Sequence, residues 1–131
     1  MTIEADLRGI LTTSTSVAAL SSDRVYHINL IQGVTYPAIS YLRISTTRES
    51  CMGNDAVNVA ARFQFDCWDD DATGANALGT AVRSALQRYG SSTGTVEIET
   101  IFIEDQQEIP ERDTDENVYR ISIDAIVHYK E

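Results

Sequence analysis

The chain predicts an α+β domain in two layers: a mainly antiparallel sheet of four to five strands with two helices packed on one face. Three observations carry this. Apolar residues recur at every second position across 38–46, 57–67, 95–103 and 118–130, the period of a strand with one buried face. They recur at helical spacing across 3–12 and 72–89. Turn formers, not long crossovers, separate most of the strands, which favours antiparallel pairing with a helical layer over the apolar face. With 131 residues, 43% hydrophobic and 23% charged, residues 1–131 read as a single domain whose core needs no disulfide or metal staple.

The elements follow in order. Ile3, Leu7, Ile10 and Leu11 make a helical stripe, with Thr2 as N-cap and Glu4 and Asp6 near the positive end of the helix. The cluster Thr12 to Ser16 interrupts it, and Val17, Ala18 and Leu20 add one apolar turn before Ser21, Ser22 and Asp23. Arg24 to Ile28 suits a short strand, and Gly33 and Pro37 bound a loop. From Ala38 to Thr46, Ile39, Tyr41 and Arg43 alternate with Ser40, Leu42 and Ile44. Gly53, Asn54 and Asp55 mark a turn within 45–56. Val57, Val59, Ala61, Phe63, Phe65 and Cys67 then share the core side of the longest strand.

Asp69, Asp70 and Asp71 precede the stripe from Ala72 to Tyr89, with Asp70 or Asp71 as cap and Gly90 as the residue beyond the helix. Thr95 to Ile103 places Val96, Ile98 and Phe102 opposite Glu97, Glu99 and Ile103. Seven acids and Pro110 make 104–117 an irregular polar loop. Tyr119, Ile121, Ile123, Ala125, Val127 and Tyr129 form the apolar face of the closing strand.

Composition narrows the function. Twenty acids against ten bases, with Lys130 the single lysine, give a net charge of −10, which opposes binding to phosphate backbones through counterion release. No apolar run reaches membrane-span length, and the amino terminus lacks the basic-then-apolar pattern of a signal peptide. Cys51 and Cys67 belong to no CxxC spacing and fit a reducing compartment, with a disulfide between them left open.

Catalytic signatures are sparse. A small hydrolase would need His27 or His128 to meet a nucleophile or the aspartates, and no motif couples them. Asp66, Asp69, Asp70 and Asp71 lack the spacing of a calcium loop and are explained more simply by helix capping. Gly74, Gly90 and Gly94 form no phosphate-binding loop, and Trp68, Tyr41 and Phe63 read as core side chains before they read as a base-stacking surface. Neither catalytic, cofactor nor metal residues are assigned. Function by contact is the expectation, and the polar loops 45–56 and 104–117 are its natural place.

Several segments resemble the tail-completion, or tail-terminator, family of long-tailed bacteriophages. They are Arg24-Val25-Tyr26, the entry Tyr36-Pro37 into Ala38-Ile39-Ser40-Tyr41, and Arg43 to Arg48. Arg62 to Trp68, the helix with Ala77-Leu78, Ala81-Val82-Arg83 and Ala85-Leu86, and Tyr119 to Asp124 with Tyr129 continue the likeness in order and spacing. The resemblance spans essentially the whole chain. It implies a virion protein, assembled in the host cytoplasm, that caps the tail tube as a ring of six, stops polymerisation and presents the head-proximal joining surface.

The implied partners are further copies of itself, the major tail tube protein and the head connector, with no sequence-specific nucleic acid and no membrane. Another head-to-tail connector or minor tail protein is the neighbouring alternative. In a ring, Arg43, Arg48 and Arg62 would meet carboxylates across a subunit boundary. A wall passing DNA should be neutral or negative, and Asp69, Asp70, Asp71, Glu97 and Glu99 are the candidate acids. Residues 46–56 and 105–117 are expected to be mobile until docked.

Overall fold

The computed structural model describes residues 3–21, 24–28, 35–49, 58–87, 97–112 and 117–130. Among them the order is α1 (Ile3–Thr13), α2 (Thr15–Ser21), β1 (Val25–His27), β2 (Ala38–Glu49), β3 (Asn58–Asp69), α3 (Ala72–Leu86), β4 (Glu97–Arg112) and β5 (Asn117–Lys130). The strands form one sheet in the order β1-β2-β3-β5-β4. Only β1 on β2 is parallel, and every other pair is antiparallel. The fold is therefore α+β with a mostly antiparallel sheet.

Three helices cover the sheet where two were expected. The Thr12 and Thr13 hydroxyls both donate to the Gly9 carbonyl, at 3.3 and 2.7 Å, and this local competition breaks the first helix at Ser14. Backbone bonds from Ser14 to Ile10 and from Ala18 to Ser14 carry the chain directly into α2. Leu7, Leu11, Val17, Leu78, Val82 and Leu86 bring all three helices into one core with Phe63, Phe65, Ile101 and Ile123. The alternation read for β3 is the buried one: Val59, Ala61, Phe63, Phe65 and Cys67 all face the helices. Two bonds hold α1 to β2: the Tyr41 hydroxyl donates to the Glu4 carbonyl at 3.1 Å, and Arg43 pairs with the Glu4 carboxylate at 2.9 Å.

Five local expectations are corrected. Helix α3 stops at Leu86, where Gln87 leaves in extended backbone while its N–H bonds the Arg83 carbonyl at 2.8 Å. Tyr89 and Gly90 lie outside the described residues, as does Thr2. Asp71 occupies the N-cap of α3 without a side-chain capping bond; the carboxylate that turns back is that of Asp69, which accepts the Asp70 N–H at 2.7 Å.

In β4 the register shifts between Ile98 and Thr100, so Ile98 and Ile101 face the core and Phe102 is 46% exposed. One extra residue in a strand inverts the alternation beyond it. Residues 104–112, expected as an irregular loop, continue β4, with Pro110 opposite Tyr119. Because β4 is an edge strand, only alternate residues must supply ladder bonds, and a proline is tolerated there. Residues 45–49 likewise belong to β2, while 50–57 and 113–116 lie outside the described residues.

Candidate functional site

The helices occupy one face of the sheet, and the alternate residues of the long strands form the opposite, open face. Its centre is polar. Trp68 Nε1 donates to Ser40 Oγ at 2.9 Å, tying β3 to β2. Gln64 Nε2 donates to both Asp66 oxygens, at 3.0 and 3.2 Å, and Arg120 on β5 approaches Asp66 at 3.8 Å. The Arg120 guanidinium also lies over the Trp68 ring, 5.0 Å from its centroid. Asp66 is only 4% exposed, and this ring of donors is what makes its burial tolerable. Further along, Arg62 meets Asp124 at 3.5 Å.

A shallow depression of about 500 Å³ lies beside this network, lined by Ile28, Ser40, Leu42, Gln64 and Trp68 among others. Sequence reasoning missed this assembly. Its signal was present as opposite charges at matching alternate positions of two strands, Arg62, Gln64 and Asp66 against Arg120 and Asp124, but their pairing depends on which strands are neighbours.

The residues weighed for chemistry do not converge. His27 ends β1 and stacks on Tyr41, with ring centroids 5.1 Å apart, while His128 meets Phe102 edge-on at 5.6 Å. His27 is level with Ile123 across the sheet, five residues along β5 from His128 and three strands away, which separates the two by about 20 Å. Asp66 belongs to the open face and Asp69 to the helix side, so the aspartates form no joint site. Among the described residues no three His, Cys, Asp or Glu side chains are grouped as metal ligands. Tyr41 and Phe63 are buried under the helices, whereas Trp68 is on the open face, which divides the supposed stacking surface. Cys67 is a free, fully buried thiol, its pKa pushed far up by desolvation, and Cys51 lies outside the described residues.

The arginines expected at an interface occupy three settings. Arg43 is held within the chain by Glu4 and by Thr46, whose Oγ1 accepts from Nη1 at 3.2 Å, and it lies 5.3 Å from the Phe63 ring centroid. Arg62 is on the open face with Asp124, and Arg48 is exposed near the end of β2. The acids fall into two groups at opposite ends of the strands. Asp69 is level with Tyr119, and Glu97 is opposite Lys130, eleven residues further along β5 and about 36 Å away. Asp70 and Asp71 are exposed, Asp69 is 6% exposed against α3, and Glu99 pairs with Lys130 at 3.5 Å.

The described residues thus give a sheet covered by helices on one face, with a polar open face on the other and long strands β2 and β4 at its margins. The chain belongs to the family of tail completion protein gp17, whose model it matches over residues 5–128. It is a structural tail protein. No curated protein sequence matches it significantly. Eighteen chains in solved structures match. One, from the virion of a native gene transfer agent particle, superposes with a TM-score of 0.74 at 14% identity, over 98% of this chain and 95% of that one. That likeness establishes the shared fold.

Proposed function

We propose that this chain is a single tail-terminator-like domain that caps the assembled tail tube as a ring of six, terminates polymerisation and forms the head-proximal joining surface of the virion. The family match over nearly the whole chain is the observation that carries the reading. The fold shared with a chain of a gene transfer agent virion supports it. Its partners in this reading are its own copies, the major tail tube protein and the head connector, met after synthesis in the host cytoplasm. Arg43, Arg48 and Arg62 are the proposed boundary residues, and one of the two acidic groups, Asp70 with Asp71 or Glu97 with Glu99, is the proposed contributor to an uncharged or negative lumen, Asp69 being closed against α3.

Deleting the gene from its phage tests the function. Tails of uncontrolled length that fail to join filled heads, restored to uniform joined tails by the supplied protein, are the expected result. Tails of normal length that remain unjoined would overturn the terminator role in favour of a connector role, and normal infectious particles would overturn both.

A further inference from the structure

Among the described residues the sheet has two outer edges, and both are long at the same end. Strand β1 covers β2 only at Ile39–Tyr41, so among the described residues Leu42 to Glu49 has no strand on its outer side. The sixteen residues of β4 form the other edge. Following the pairings across the sheet, Arg48 is level with Val59, Tyr129 and Ile98, while Arg43 is level with Phe63, Ala125 and Ile103. Each of those isoleucines is followed by an exposed glutamate at a register shift, Glu99 and Glu104. The arginines are five residues apart and so are the glutamates, and β2 has its own register shift, between Arg43 and Ser45.

The two edges also differ in charge. Residues 42–49 hold two arginines and one glutamate, whereas β4 holds six acids and Arg112. Two acidic β4 edges brought together would repel, while β4 against the β2 edge, whose Arg43 is already paired with Glu4 and whose Arg48 is exposed, escapes that repulsion and gains attraction at Arg48. Such a pattern disfavours a twofold dimer and favours a head-to-tail contact, the kind that closes rings. Strand direction agrees. β2, β3, β5 and β4 alternate in direction, so a second copy with its sheet in the same orientation offers a β2 antiparallel to this β4.

We propose that in the assembled protein the β4 edge of one copy pairs with the Leu42–Glu49 edge of the next, placing Arg43 and Arg48 at the level of Glu104 and Glu99 of its neighbour. This rests on the ring reading above and names the surface by which the ring closes. The competing account is that charges and bulges only protect two exposed edges from unwanted pairing.

Cysteines placed at level positions separate the two. Thr47 and Thr100 are level across the sheet. In a Cys51→Ser background, phage tails are assembled with Thr47→Cys/Thr100→Cys protein and with each single variant, then oxidised or treated with a short bis-maleimide. Edge pairing gives a covalent ladder reaching the full ring from the double variant and none from either single one. Tails of normal length that contain the double variant in full copy number yet give no ladder would overturn the edge pairing and leave the ring intact. Dimers from a single variant would overturn it in favour of a twofold contact. Absence of the wild-type protein from purified tails would instead remove the ring reading on which the proposal stands. As a second measurement, Arg48→Glu should deplete the protein from tails, and adding Glu99→Arg and Glu104→Arg to the same chain should restore it; failure of that restoration, with the triple variant shown to be folded, counts against the pairing.

Discussion

At Gly74 the absence of a side chain is a packing requirement. A Cβ built there would overlap the Asp69 carboxylate, which is folded against the first turn of α3. Gly74→Ala should lower stability by about 1–3 kcal/mol in urea unfolding. Adding Asp69→Ala should remove most of that increment, because the clash is shared by the two residues. Asp69 itself is held above the ordinary carboxyl value of 3.8, first by desolvation and then by the neighbouring Asp70, with the Asp70 and Asp71 backbone bonds opposing the rise. A raised folded pKa means that the fold favours the protonated form. Its contribution is full below pH 3.8 and is lost as pH rises through the folded value. Asp69→Asn, which keeps an acceptor for the Asp70 N–H, should therefore raise the melting temperature at pH 7 and give a smaller gain at pH 3. An equal gain at both would contradict this assignment. Cys67 is fully buried with its thiol pKa driven upward, so in Cys51→Ser protein it should resist maleimide under native conditions and react at once in denaturant.

Among the elements, α1 shows how one residue type changes meaning with its surroundings. Gly9 has open space where a Cβ would go, so Gly9→Ala should add about 0.5–1 kcal/mol through helix propensity, the opposite sign to the same change at Gly74. Leu11, two residues on, is fully buried, and Leu11→Ala should remove about 3 kcal/mol. Both values are read from denaturant midpoints. The Glu4–Arg43 pair that joins this helix to β2 is partly exposed and adds well under its contact distance's apparent worth, about 1 kcal/mol at most. Burial of Leu7 and Leu11 is what docks α1.

For the whole molecule, the separation of the acidic groups matters. Asp70 and Asp71 at one end and Glu97 and Glu99 at the other lie about 36 Å apart along the strands, so a lumen wall at a single height can hold only one of them. Asp69 is closed against α3, which makes Asp70 with Asp71 the appropriate pair to reverse at that end. If the lumen-facing acids include either group, lysine at both positions of that pair should leave tails normal in length and joined to heads but slow DNA ejection, since a positive wall retains phosphates. Ejection at the wild-type rate from particles carrying either pair would leave solubility as the role of the acids.

Periodicity in the chain was sufficient for the α+β class, the core faces of β3 and β5, the helical stripe of α3 and the placement of most strands. Apolar spacing is a local property, read by the same geometry that buries it. Three features depended on neighbours distant in sequence. Pro110 ends a strand in the centre of a sheet but not at its edge, and only the order β1-β2-β3-β5-β4 made β4 an edge. The register shift after Ile98 turned Phe102 outward, and together with the shift after Ile103 it set Glu99 and Glu104 at the rim, an outcome of pairing with β5. The network of Trp68, Ser40, Asp66 and Arg120 joins three strands drawn from positions 40 to 120. A strand's pattern determines which of its faces is apolar, but which polar residues meet, and which backbone is left for another chain to pair with, is decided by the partner on each side.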